Sequence, residues 1–284
     1  MNRLLRIAAL TAAAVFLTTA VHADEWSKTY QISNRANLQV TTDDGAVFLT
    51  SADIKQIDVK VTTTGYKIGS GDVHIEESQN GDQVTLSVKV PHLSWSFFGS
   101  RNRSIRVDVR VPRDLDLDVH TGDGDVSAQP VSGHIHFDTG DGNIIATGLK
   151  GDLSMHTGDG HIEASGLDGS LRADTGDGHM TIRGRFDHLD LNTGDGSVEA
   201  EASSGSRIND AWAIKTGDGH VNLRIPDDLH ADLNARTGDG SITVDFPISV
   251  SGSLSHSSVH GKLNGGGNEL KITSGDGSIH LSKL

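Results

Sequence analysis

The sequence predicts an all-β repeat fold, a single-stranded parallel β-solenoid with coils of about 18 residues and an irregular N-terminal portion. Three observations carry this expectation. Thr-Gly-Asp-Gly begins at Thr121, Thr139, Thr157, Thr175 and Thr193, each 18 residues after the last. It returns at Thr216 and Thr237 and, as Ser-Gly-Asp-Gly, at Ser274, with intervals of 23, 21 and 37 residues, the last long enough to hide a further coil. Apolar residues keep fixed columns between these tetrapeptides, and within a column set they lie two residues apart, the period of a strand with one buried face.

Taken along the chain, Met1 to Ala23 reads as a secretory signal peptide. Arg3 and Arg6 precede the apolar run Ile7 to Leu17, and Val21-His22-Ala23 offers small residues at cleavage-type positions. The apolar run falls short of the roughly 20 residues that span a bilayer, and no later stretch is long enough. Residues 24–284 are expected to form one domain, with irregular rungs over 24–118 and regular rungs over 119–284. Among the irregular rungs Leu38 to Thr41, Ala46 to Leu49, Ile57 to Val61, Val84 to Val90 and Ile105 to Val111 alternate as strands. Thr42-Asp43-Asp44-Gly45 and Asn80-Gly81-Asp82 read as degenerate turns of the repeat kind.

Among the regular rungs, a first apolar column runs Val126, Ile144, Ile162, Met180, Val198, Val221, Ile242, Ile279, and the next Ala128, Ala146, Ala164, Ile182, Ala200, Leu223, Val244, Leu281. A second strand per coil is marked by Ile135, Leu153, Leu171 and Leu189, paired with Phe137, Met155, Ala173 and Leu191. Such short strands bury a core only by stacking about 4.8 Å apart. At 18 residues per coil the chain allows roughly 14 rungs; the ends of the stack need caps, and the turn glycines read as suppliers of positive φ.

Composition limits the partners. Without the signal peptide the chain keeps 22 basic against 38 acidic residues, a net charge of −16 with His neutral, which disfavours nucleic acid and anionic membrane. With no cysteine there are no disulfides, thiolate metal sites or thiol chemistry. Gly-x-Ser-x-Gly and His-Glu-x-x-His are both missing, and the repeat carboxylates offer no break in the array at which catalysis would be sited. No enzyme activity and no cofactor are expected.

Leu38-x-Val40 with Asp44-Gly45-x-Val47-x-Leu49, the Val111-Pro112 step, Gly261-x-Leu263-x-Gly265-Gly266-Gly267, and Leu270-x-Ile272-Thr273-Ser274-Gly275-Asp276-Gly277-Ser278-Ile279 together resemble the bacterial β-strand-repeat family known as "putative adhesins". The resemblance covers nearly all of residues 24–284. It implies an envelope or secreted β-solenoid and assigns no functional residue.

Four features are candidates for chemistry. Asp123, Asp141, Asp159, Asp177, Asp195, Asp218, Asp239 and Asp276 should stack along one edge. Neighbouring carboxylates about 4.8 Å apart repel by about 0.9 kcal/mol in bulk water, so the ladder either caps turn amides or collects divalent cations weakly. The Thr column should stack hydroxyls between rungs. His161, His179 and His220 follow the tetrapeptide where Asn143 and Ser197 also stand, which reads as a solvated face. Trp95, Phe97 and Phe98 beside Arg101 and Arg103 form an aromatic and basic patch, either a cap on the solenoid or a surface for a protein or glycan. The expected function is a non-catalytic, exported envelope scaffold or adhesin-like binding module, its partner an unknown envelope protein or glycan. The competing readings are a polysaccharide-acting β-helix enzyme and a cation-dependent surface protein using the Asp ladder.

Overall fold

The computed structural model describes residues 23–69, 71–90, 103–250 and 255–284. The signal-peptide reading falls outside these residues except for Ala23, which opens the strand Ala23–Gln31, and Trp95, Phe97, Phe98 and Arg101 fall outside them too. The strands form one 23-stranded mixed sheet, bent so that nine of its ten rungs contribute a strand on either side of a tetrapeptide turn.

The strand preceding the turn belongs to a first column. Its spatial order is Gln83–Lys89, Ala36–Thr42, Leu115–Thr121, Ser132–Thr139, Lys150–Thr157, the end of Ile162–Thr175, the end of Met180–Thr193, Trp212–Thr216, Glu269–Ser274 and Ala231–Thr237. These nine parallel pairings join ten strands. The strand after the turn builds a matching second column of ten, from Ser104–Pro112 to Ile242–Val244.

Three expectations need correction. The fold is not purely parallel, because antiparallel strands close both ends. Ala23–Gln31 pairs with Gln56–Thr64, which pairs with Ser104–Pro112, and His74–Asn80 pairs with Gln83–Lys89. At the other end Ala231–Thr237 pairs with Ser258–Leu263, which pairs with Ile248–Val250. These caps consume chain, which is why ten rungs stand where chain length allowed roughly 14. Rung order also departs from chain order. Residues 36–52 lie between 83–112 and 115–128, and residues 269–283 lie between 212–225 and 231–244. The 37-residue interval before Ser274 therefore holds a capping hairpin rather than a further coil.

The third correction concerns turns. Thr42 to Gly45 is a true repeat turn, since Thr42 pairs with Thr121 and the Gly45 amide donates to Thr42 Oγ1 at 3.0 Å. Asn80-Gly81-Asp82 is instead a hairpin turn with Gly81 at φ 61°, tied to its neighbour by the Ser33 and Asn34 amides donating to the Asp82 carboxylate at 2.7 and 3.1 Å.

The interior follows the apolar columns. Ile144, Ile162, Met180 and Val198 on one wall and Ile135, Leu153, Leu171 and Leu189 on the other are all buried, while every ladder Asp is exposed. Within it, fully buried Phe186 and Trp212 meet edge to face with centroids 6.4 Å apart. Ile242 and Val244, in the last rung, are only half-buried because no further rung covers them.

Candidate binding face

The tetrapeptide edge is the most regular surface, and its residues divide the work differently from the expectation. Thr157 is fully buried, and its Oγ1 donates to the Gly142 carbonyl of the preceding rung at 2.8 Å while accepting the Gly160 amide at 3.1 Å. Thr139, Thr175 and Thr193 repeat the same two bonds, and Ser274 does so with its own hydroxyl. The threonine hydroxyl, not the aspartate, caps the turn amide. Thr157→Val is expected to leave both buried backbone groups unsatisfied and to cost about 1–3 kcal/mol. Thr157→Ser keeps an oxygen in place, so its denaturation midpoint should stay close to the parent; an equal loss in both variants would refute this role.

The tetrapeptide glycines do not adopt positive φ. They are required by close stacking. A Cβ on Gly142, Gly160 or Gly178 would overlap the carbonyl oxygen of Gly124, Gly142 or Gly160 directly beneath it. The first glycine continues the inter-rung ladder around the corner, with the Gly158 amide donating to the Gly140 carbonyl at 2.6 Å. Asp141 and its seven counterparts project from between these glycines, and among the described residues their carboxylates make no hydrogen bond or ion pair.

The position after the tetrapeptide is not merely a solvated face. The Asn143 amide donates to Asp125 Oδ1 at 2.8 Å, the His161 amide to Asn143 Oδ1 at 3.0 Å, and the His179 amide to His161 Nδ1 at 3.0 Å. Ser197 then donates to His179 Nδ1, His220 to Ser197 Oγ, and Ser278 to His220 Nδ1. Asp, Asn, Ser and His interchange here because each carries an acceptor atom within reach of the next rung's backbone N–H. The stacked His161 and His179 rings, 5.3 Å apart, thus have their Nδ1 atoms occupied by backbone amides.

The polar side chains that converge lie elsewhere, on the outer face of the first column. Pairing in register sets Asp116, Asp118 and His120 beside His134, His136 and Asp138, and these beside Asp152, Ser154 and His156. An open groove of about 450 Å³ crosses six successive strands here, lined by Asn37, Asp116, His134, Asp152, Arg172 and His188 among others. Six strands at about 4.8 Å spacing make it roughly 24 Å long, running along the stack. His134 bridges Asp116 and Asp152, with Nδ1 at 2.9 Å and Nε2 at 3.3 Å. Burial pushes the Asp116 carboxyl up, but hydrogen bonds from the His134 ring and amide and from Arg35 outweigh it and hold the group below the ordinary carboxylate range.

None of the polar groove residues is a candidate in the sequence reading, which names only the apolar Ile135, Leu153 and Leu171 beneath them. Their signal was present as the polar alternates between apolar positions of the strand before each tetrapeptide. Of the aromatic and basic patch only Arg103 is described, and its guanidinium stacks over Tyr66, 5.0 Å from the ring centre.

Comparison with protein-family models matches residues 36–282 to Toastrack DUF4097. The chain belongs to the Toastrack DUF4097 family. Among solved structures, the Toastrack chain is similar to a Parabacteroides distasonis protein described as a "putative lipid binding protein", at 14% identity and TM-score 0.48, covering 91% of this chain and 96% of that one. A "putative adhesin" of the same organism shares 12% identity, with TM-score 0.46 and coverage of 91% and 97%. A "putative cell adhesion protein" of Clostridium sporogenes shares 13%, with TM-score 0.33 and coverage of 93% and 100%. No curated protein matches the Toastrack chain. Among the described residues no helix is long and apolar enough to cross a membrane.

Proposed function

We propose that this Toastrack protein is an exported, non-catalytic binding module of the cell envelope, and that it holds an extended polar chain, most simply a glycan, in the groove along its first column. The observation that carries this reading is the groove itself. It is long and open, and its Asp, His, Asn, Ser and Arg side chains repeat at rung spacing. A ligand whose hydroxyls and amides recur along its length fits such a row, whereas a compact substrate would use only a fraction of it. The N-terminal Arg-flanked apolar run and the acidic balance favour the exported, envelope location.

The test is binding of the protein without residues 1–23 to isolated peptidoglycan and to a panel of soluble oligosaccharides, beside the variant His134→Ala, Asp152→Ala, Arg172→Ala. Saturable binding, weakened at least tenfold in the triple variant with no product formed, is the expected result. Release of shorter products would replace the proposal with the enzyme reading. Binding that ignores the three substitutions would remove the groove as its seat.

A further inference from the structure

We propose a transition-metal site of the zinc class at Asp118, His120 and His136, on the outer face of the first column, where Asp118 and His136 also line the groove; the proposal does not rest on the groove's ligand. Asp118 and His120 are two residues apart on one strand and therefore share a face. Parallel pairing places His136 directly beside Asp118 and Asp138 directly beside His120. Two imidazoles and two carboxylates thus occupy opposite corners of a small square. One ligand atom each from Asp118, His120 and His136 lies within 4.8 Å of the other two, all three residues being half-buried.

Two further observations point to a cation rather than a chance gathering of polar groups. The first is the hydrogen bond between His120 Nδ1 and Asp138 Oδ2, 3.1 Å long. With the Nδ1 proton donated to Asp138, the lone pair of His120 is left on Nε2, the arrangement by which a carboxylate orients a metal-binding histidine. The second is Asp118 Oδ1, which is shielded from solvent and makes no hydrogen bond. It lies 2.9 Å from His120 Nε2, outside hydrogen-bond geometry. Two acceptor atoms facing each other so closely repel unless a cation lies between them, and N and O ligands about 2.0–2.2 Å from a shared zinc ion are separated by little more than this. The His136 ring approaches edge-on, its centre 5.4 Å from that of His120, as the third donor. Two imidazoles and one carboxylate suit Zn²⁺, Ni²⁺ or Cu²⁺ and are poor for Ca²⁺ or Mg²⁺. The outer side of the site faces solvent and leaves a fourth position for water. Asp138 is a positioning residue.

Titration calorimetry with Zn²⁺ on tag-free protein lacking residues 1–23 decides the matter, with circular dichroism confirming that each variant folds. One saturable site is expected. His120→Ala and His136→Ala should each lower its affinity at least tenfold, Asp138→Asn about 10–100-fold through loss of ring orientation, and His161→Ala with His179→Ala not at all. Ca²⁺ at the same concentration should not compete. The competing occupant is a proton, with His120 held as an imidazolium between Asp118 and Asp138. In that case Zn²⁺ gives no saturable heat, and the site is overturned. It is equally overturned if binding persists unchanged in His120→Ala and His136→Ala, or is lost in the His161, His179 variant instead.

Discussion

Ile162→Asp is expected to lower stability on the order of 5 kcal/mol, a large share of what an ordinary domain possesses. Ile162 is buried between Ile144 and Met180 in adjacent rungs, with Ala164 beside it on the same wall. An ionised carboxylate there meets no donor, so it either stays charged at great cost or takes up a proton. Because burial raises the folded-state pKa of the new group above its unfolded value, the variant recovers stability as pH falls and is worst near neutrality. Urea denaturation at two pH values reads both effects. A midpoint equal to the parent's at neutral pH would show that this column does not face the interior. Ile162→Val, which only trims a methylene, should cost about 0.5–1.5 kcal/mol.

Gly178→Ala is the second large effect. The added methyl would overlap the Gly160 carbonyl oxygen and carbon and approach Thr175 Oγ1 to 2.8 Å. The backbone beneath is itself held by the next rung, so neither layer can withdraw without breaking the hydrogen bonds around the corner. A loss of about 3 kcal/mol or more is expected, at or beyond the upper end for overpacked sites. Asp177→Ala, one residue away and exposed, should change the midpoint little. Similar behaviour of the two variants would mean that the glycine answers to something other than close stacking.

The contrast between these positions shows what could be read from the chain beforehand. Burial of Ile144, Ile162 and Leu153 follows from alternation alone, since a strand with period 2 has only two faces and one carries all the apolar residues. The position of a rung in the stack does not follow. The tetrapeptides at 216, 237 and 274 present the same hydroxyl and glycines to their neighbours, so the turn at Ser274 fits on that of Thr216 as well as the turn at Thr237 would. Antiparallel caps and a hairpin, which depend on long-range pairing, decide between them. The tetrapeptide glycines were legible as turn residues but not as contact residues, because positive φ and close approach select the same side chain. The pairing of Asp118 with His136 is hidden for a third reason. The residues are 18 positions apart, and only the exact stacking register makes them neighbours.

The interleaved placement of residues 269–283 bears on how the molecule is assembled in time. As the chain emerges, the segment 231–244 is complete before the strand that must lie beneath it exists. It has two ways to wait: to remain unattached, or to settle on 212–225 and later be displaced. Adding one rung after another therefore cannot finish this end, and the concluding step is a wedge being driven between two layers already made. Residues 36–52 at the other end pose no such problem, because they are complete before either neighbour, and 83–112 on one side and 115–128 on the other can add to them in turn. Once the wedge is seated, the layer 231–244 is tied through it to the rest of the stack, so this end should come apart as a block where an array in simple chain order would fray from its tip.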